Sequence, residues 1–378
     1  WVLYEYRRLS MSKAAELAAL IGSQTAQSNR NLVTNGAMQI WQRGTTIDSI
    51  SNGSYFCDRW RVSHSGLDGN VDVDRSTDVP SGYGFGFSQK ISVDASESSL
   101  DAADNLRMSQ RMEGQNVQSL KKGTSNAEPV TVSFWVKSSV ASANYQVGLR
   151  DEDNDRDNAK SYTISSVNTW EHKSVTFVGD TTGVLDNDNL RSFDLDFRID
   201  AGTNFTSGTF YNGTWGAGSN TQKVNASTGF LESSSPEWYI TGVQLQIGEV
   251  ATAFEHRTFA DDFAACQRYF CKTFPTATAP VQNGGNNGSL IAVASGTATA
   301  PNRAFSVAFN YPVEMRASPT VTTFNPAGSD ALWYKHTDGS TLAVTASFPS
   351  ERSISLTNGA SATDQQAYRI HATADAEL

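Results

Sequence analysis

The densest reactive chemistry in this chain is the loop Asp151-Glu-Asp-Asn-Asp-Arg-Asp157, which places five carboxylates within seven residues. Asp151, Asp153 and Asp155 fall on the first three ligand positions of an EF-hand calcium loop. Arg156 then stands where that loop needs glycine, and Tyr162 where it needs a bidentate glutamate. The loop reads as a solvated acidic turn, with a looser calcium site through Asp151, Asp153 and Asp155 as the alternative, because a cation would relieve the crowded charge. A glycosidase needs two carboxylates across a cleft, and 39 acidic residues neither show nor exclude such a pair. No G-x-S-x-G, H-E-x-x-H or G-x-x-x-x-G-K-[ST] motif occurs. His64, His172, His256, His336 and His371 are scattered singly and read as surface or hydrogen-bonded structural residues. Cys57, Cys266 and Cys271 are odd in number and irregular in spacing, which points away from a disulfide framework or a zinc site. The expectation is a protein that is not an enzyme and uses no cofactor.

Aromatic residues suggest binding instead. Eight tryptophans and twelve tyrosines sit in a chain rich in Ser, Thr and Asn. Sugar rings offer apolar C–H faces to exposed aromatics, while amides and carboxylates bond their hydroxyls. Trp60, Trp170 and Trp238 lie in strand-like sequence and are expected in the core. The candidates for sugar stacking lie in turn-rich sequence: Tyr211 and Trp215 in Phe-Tyr-Asn-Gly-Thr-Trp-Gly, and Trp333 and Tyr334 ahead of Lys335-His-Thr-Asp-Gly339.

The elements that would hold these residues are mostly strands. With 378 residues the chain has room for two or three domains. Hydrophobic content is 38%, and the polar remainder favours turns and short strands over long helices. Phe193-Asp-Leu-Asp-Phe-Arg-Ile-Asp200 alternates strictly, which predicts an apolar face of Phe193, Leu195, Phe197 and Ile199 and a solvated face of Asp194, Asp196, Arg198 and Asp200. Phe134 and Val136, then Val243 and Leu245, belong to the same predicted core. No long amphipathic helices alternate with the strands, so a mainly β fold is expected: an antiparallel jelly-roll β-sandwich. Residues 12–27 read as a short N-terminal helix with a narrow stripe through Leu17 and Ile21. Thr258-Phe-Ala-Asp261 begins like a capping box, and Phe259, Phe263, Cys266 and Phe270 share one face of a helix predicted over 258–274. Leu17, Ile21, Phe259, Phe263 and Phe270 are the candidate oligomer or docking contacts. Pro280–Ser289 reads as a flexible linker, and short strands beyond it predict a second, smaller β-sandwich. The expected domains are 1–30, an attachment segment; 31–257, the jelly roll; 258–274, a connecting helix; and 275–378, the C-terminal sandwich.

Six segments carry a family resemblance. They are Asn31-Leu-Val-Thr-Asn-Gly-Ala-Met-Gln-Ile-Trp-Gln-Arg-Gly44, Asp58-Arg-Trp60, Ser133-Phe-Trp-Val-Lys137, Thr169-Trp-Glu171, Thr241-Gly-Val-Gln-Leu-Gln-Ile-Gly248, and Phe254-Glu-His-Arg257 through Cys266-Gln-Arg-Tyr269. In this order they resemble bacteriophage tail-fibre and receptor-binding proteins with a jelly-roll domain similar to carbohydrate-binding modules. Cys57 stands before Asp-Arg-Trp where a small residue is usual, and Gln246 where glutamate is common. The resemblance covers about residues 31–270 and transfers no catalytic residue.

That resemblance implies a structural virion protein, a tail fibre that recognises and attaches to a host-surface glycan. A head decoration fibre or another non-receptor virion component is the alternative, and a capsule-degrading tailspike enzyme a more distant one. The implied partners are two further copies of the chain in a homotrimer, other tail proteins through the N-terminal segment, and bacterial surface polysaccharide or lipopolysaccharide. A net charge of −10 argues against a nucleic-acid partner. No apolar run reaches the roughly 18 residues of a membrane span. Trp1–Arg8 lacks the ordering of a signal peptide, so the expected location is the virion. Adhesion is expected mainly in residues 275–378, with Tyr211 and Trp215 of the larger sandwich as the competing place.

Overall fold

A computed structural model describes residues 30–294, 305–358, 362 and 365–378. The helix expected over 12–27, with Leu17 and Ile21, lies outside the described residues. Thirteen strands run to Ile247: β1 (Thr46–Ile47), β2 (Ser54–Tyr55), β3 (Arg61–Ser65), β4 (Val71–Ser76), β5 (Ser88–Val93), β6 (Asn105–Glu113), β7 (Val130–Ser138), β8 (Ala143–Asp151), β9 (Arg156–Ile164), β10 (Glu171–Phe177), β11 (Arg191–Ala201), β12 (Gly216–Ala217) and β13 (Glu237–Ile247). They form two antiparallel sheets, β1-β4-β5-β13-β7-β10 and β12-β9-β8-β11-β6-β3-β2. The chain crosses between the sheets repeatedly, giving the sandwich of jelly-roll kind that the alternation predicts.

The core lies between the sheets. Trp60, Phe134, Tyr145, Phe193, Phe197 and Trp238 are all buried there, with Val136, Leu195, Val243 and Leu245. One side of β11 thus packs as its period dictates. The other side does not meet solvent. Asp194, Asp196 and Arg198 are only 2–3% exposed, contrary to the solvated face expected from sequence. They hydrogen-bond among themselves and to Arg191, beside Arg107 of β6, while Asp200 accepts from Ser227, Thr228 and Leu231 of the following loop. Charged residues on a strand are buried where each finds a partner, and alternation alone carries no record of the covering loop.

The family-like motifs are the joints of this sandwich. Asn35 adopts a positive φ of 55°; its side-chain oxygen accepts from the backbone N–H groups of Gln39 and Ile40, and its nitrogen donates to the carbonyls of Ile40 and Asp58. A Cβ on the next residue, Gly36, would lie 2.1 Å from the Val243 carbonyl oxygen, so only glycine fits. Asn31 donates to that carbonyl and accepts from Leu245 N–H. Glu255 and Arg257 clasp the Asn31 backbone in turn. In the folded chain these segments are tied into one hydrogen-bonded knot.

Within the sandwich, α1 is a single turn at Thr203–Thr206 in the covering loop between β11 and β12; after it, α2 spans Phe259–Gln267. Thr258 caps α2 by accepting from Asp261 N–H, as the sequence predicts. The helix ends seven residues before 274. Phe270 leaves it and opens β14 (Phe270–Lys272), pairing with β22 (Ala367–Asp375). The aromatic and β-branched run Tyr269–Phe274 suits a pleated strand better than a helix.

The C-terminal part forms a second sandwich from β14, β15 (Leu290–Val293), β16 (Ser306–Asn310), β17 (Thr320–Phe324), β18 (Trp333–Lys335), β19 (Thr341–Leu342), β20 (Val344–Ser347), β21 (Ser353–Asn358) and β22. One sheet is organised around β22; the other is β16-β21-β20. Its core holds Trp333, Phe305, Tyr368 and Ile370. The stretch 280–289 is not a free linker: Asn283 and Gly285 N–H bond the carbonyls of Asn325 and Pro326, and Gly285 C=O meets His371 Nε2.

The two sandwiches meet along a polar seam. Glu113, at the end of β6, accepts from Arg268, Tyr269 and Gln115. Burial alone would raise its pKa; these hydrogen bonds and the Arg268 charge outweigh that and hold it below the ordinary 4.5. The seam's contribution is therefore complete above about pH 4.5 and lost as pH falls through the depressed value. Glu113→Gln should flatten that acid-side loss in thermal unfolding between pH 6 and 3. Parallel pH curves for mutant and wild type would show that Glu113 does not carry it.

Candidate functional site

The outward side chains of β7, β13 and β10 build an aromatic platform. On β7, Phe134 and Val136 face the core, so Trp135 and Lys137 face outward. Trp135 lies directly opposite Thr241 of β13 and His172 of β10, and Lys137 opposite Tyr239. Tyr83, from the loop before β5, lies against Trp135 with ring centroids 4.2 Å apart, and the His172 ring lies 5.2 Å from Trp135. Tyr83 is 53% exposed and Trp135 half-buried.

These residues wall a cleft of about 580 Å³ with Phe85, Ser133, Phe254 and His256. Gly242 forms part of its floor with φ +63°, and a Cβ there would strike the Phe85 ring at 2.5 Å. The glycine of Thr-Gly-Val-Gln-Leu therefore lets Phe85 lie flat against β13, beside a register shift between Thr241 and Gln244. His172 has no hydrogen-bond partner among the described residues, and partial burial keeps its pKa below 6.5. The ring is neutral at pH 7, with one donor and one acceptor nitrogen available to a ligand.

The platform continues past the cleft. Trp170 donates its indole N–H to Asp78 at 2.8 Å. Lys137 also bonds Asp78 and lies 4.0 Å from the Tyr239 ring centroid. Trp170 is half-buried on this outer face, not in the core as its strand-like context suggests. Chemically the arrangement offers flat, partly wetted rings bordered by hydroxyl, imidazole and ammonium groups.

The residues singled out from sequence fall elsewhere. Tyr211 is 8% exposed, its hydroxyl donating to Ala217 C=O. Trp215 packs toward Phe193 and donates to Val178 C=O. Trp333 is fully buried and donates to Thr357 C=O, so it presents no ring face. Tyr334 points the opposite way, as neighbours on a strand must, and the two cannot make one surface. Among the docking candidates, Phe259 is 51% exposed and stacks on Phe263 at 5.5 Å. Phe270 is buried under the Arg43 guanidinium, 3.7 Å away, and is unavailable to another chain. The acidic loop does not converge either: Asp151 pairs with Lys122, Asp153 accepts from Asp186 N–H, and Asp155 meets Arg150. Among the described residues no three His, Cys, Asp or Glu side chains are grouped to hold a metal.

The sequence does not single out Tyr83, Trp135 or His172 as a site: His172 reads there as a surface or hydrogen-bonded structural residue, and Trp135 only as part of the Ser133–Lys137 segment. For Trp135 the signal was present: in Val-Ser-Phe-Trp-Val-Lys a tryptophan occupies the outward phase of a strand whose inward phase is already filled. Tyr83 and His172 join it only through folding.

No family model matches the chain, and no curated protein matches it by sequence. Solved structures match over part of the chain. The enzymatically active domain of bacteriophage CBA120 tailspike protein 4 matches at 16% identity and TM-score 0.29, over 53% of this chain and 22% of that one. A family 4 carbohydrate-binding module matches at 13% identity and TM-score 0.31, over 57% of this chain and 99% of the module. The module TmCBM61, solved with β-1,4-galactotriose, matches at 11% identity and TM-score 0.29, over 58% of this chain and all of the module.

Proposed function

We propose that this chain is a glycan-binding, non-catalytic component of a bacteriophage tail fibre, and that the sugar sits on the Tyr83–Trp135–His172 cleft of the larger sandwich. The observation that carries this reading is the wetted aromatic platform, with an unpartnered neutral imidazole at its edge. Rings held by sheet packing bind without first losing freedom. The cleft lining holds no carboxylate, which favours binding over glycosidic hydrolysis there. The virion location draws on the motif resemblance of residues 31–270. The site moves from the C-terminal sandwich to the larger one, because burial of Trp333 removes the stacking pair expected there.

Trp135→Ala should weaken binding to a host-surface polysaccharide by about 2 kcal/mol, roughly 30-fold, as aromatic anchors at interface centres do. Trp135 is half-buried and outside the core, so thermal unfolding should change little. Equal affinity of mutant and wild type in titration calorimetry would remove the cleft from the reading. A chain that binds no host glycan would favour the decoration-fibre alternative.

The fibre reading also includes a homotrimer, in which three weak sites give durable attachment. The stacked, partly exposed Phe259 and Phe263 offer an apolar surface to another copy. Light scattering of the purified chain should give a mass of three chains. A monomer at micromolar concentration would remove the trimer from the proposal.

A further inference from the structure

The opposite face of the sandwich carries a second cleft with different chemistry. It lies on the outer side of β3, β6, β11 and β8, encloses about 590 Å³, and is roofed by the loop around Asn220 and Lys223. The strand register explains its charge. Arg107 of β6 stands between Ser63 of β3 and Arg198 of β11, and Arg61 of β3 stands one row away. Directly opposed like charges destabilise a sheet. Here Arg107 and Arg198 share a single carboxylate, Asp196, at 3.4 and 3.1 Å.

Arg61 has less. Its guanidinium donates to Ser63 Oγ and meets no carboxylate within ion-pair distance among the described residues. Burial, then repulsion from Arg111 and Arg107, lowers its pKa. Arg198 and Lys223 are lowered as well, first by burial and then by neighbouring arginines. The lining also holds Arg150 and Arg191 with their partners Glu152 and Asp155, and Lys223 pairs with Asp157, so Arg61 is the lining arginine left without an ion pair among the described residues. Asn105, also lining the cleft and 7% exposed, leaves its side-chain oxygen without a partner.

We propose that this cleft binds an acidic sugar residue, its carboxylate held by the forked guanidinium groups of Arg61 and Arg107 and a hydroxyl donated to Asn105 Oδ1. The saccharide part rests on the glycan-binding reading above; the anion part rests on the cleft alone. Planar guanidinium groups match a carboxylate bidentately, and the buried amide oxygen takes the hydroxyl proton that sulfate lacks. The two clefts lie on opposite faces of one sandwich, so an acidic and a neutral segment of polysaccharide would use different surfaces.

The test uses the full chain at low ionic strength, with a hexamer of galacturonate, its methyl ester and inorganic sulfate as calorimetric probes. The acid should bind at least tenfold more tightly than the ester. Arg61→Gln should lose that preference while Trp135→Ala keeps it. Arg61 has no carboxylate to orphan, so its substitution should leave thermal unfolding unchanged; Asn105→Ala is a second variant and should weaken the acid but not sulfate. Equal binding of acid and ester, or an Arg61→Gln variant that still prefers the acid, would overturn the proposal. Sulfate binding lost in Arg61→Gln, with neither the acid nor the ester bound, would overturn the sugar assignment of this cleft and leave an anion site. Binding of the acid alone, with Trp135→Ala silent for every neutral glycan, would support this cleft and count against the aromatic one.

Discussion

Phe197→Ala is expected to destabilise the larger sandwich by about 3–5 kcal/mol, the range for removing a fully buried phenylalanine. Phe197 is 0% exposed and stands at the centre of the core. Its ring packs edge-on against Phe134 of the facing sheet at 4.9 Å and lies 6.2 Å from both Trp60 and Trp238. Its backbone is fixed on both sides, in register with Met108 and Val147. Large rings pinned by two sheets cannot slide inward, so the cavity stays open and the cost should fall toward the upper end. Urea unfolding should show a lower midpoint with an unchanged slope. Phe197→Leu, which refills part of the space, should cost less. A loss below about 1 kcal/mol for the alanine variant would mean that the core repacks and that these contacts do not hold it.

That same strand marks where the sequence could be read and where it could not. The apolar phase of β11, with Phe134 and Val136 on β7 and Leu245 on β13, is visible in the alternation because sheet geometry forces every second side chain inward. The fold class followed from it, as did the cap at Thr258, whose bond to Asp261 N–H spans three residues. The burial of Asp194, Asp196 and Arg198 depends on β6, β8 and a loop after residue 201, contacts that no local period encodes. The Phe259–Phe263–Cys266–Phe270 spacing was real, yet Phe270 found a strand partner about 105 residues away in Asp375 and left the helix. The candidate site was the least legible part. Trp215 and Trp333 looked exposed because their neighbours are turn formers, but both indoles spend their N–H on backbone carbonyls and pack inward. Tyr83, Trp135 and His172 come from three separate segments and meet only when β7 and β10 pair.

Glu377→Ala should cost a further about 3–5 kcal/mol, the range for breaking one side of a buried ion pair. The Arg59 guanidinium is its partner, with side chains 2% and 6% exposed. Arg59 also bonds the Arg111 carbonyl and lies 3.4 Å from the Tyr269 ring centroid. Burial works to lower its pKa, and the Glu377 charge outweighs this and raises it; with the carboxylate gone that support is lost, yet a guanidinium keeps its charge in proteins, so an unpaired buried charge remains. The nearby ring replaces only part of what is lost. Arg43 is less exposed to the change, since it keeps Asp375 at 3.0 Å. Because the pair is buried, added salt should not reproduce the effect, whereas Glu377→Gln, which retains an acceptor oxygen, should be milder. Arg59→Met combined with Glu377→Leu should recover most of the stability, since two apolar side chains leave no orphaned charge. A Glu377→Ala variant within about 1 kcal/mol of wild type would mean that water reaches Arg59. The consequence reaches function through geometry. Glu377 lies two residues past β22 and Arg59 just before β3, so this pair locks the C-terminal sandwich onto the larger one. A chain cut after residue 274 would lose Glu377 with its partner left behind, and its failure to bind host cells would report an unravelled joint before it reported a missing receptor site. A side-chain change at Trp135, on an outer face away from that joint, separates adhesion from folding where truncation cannot.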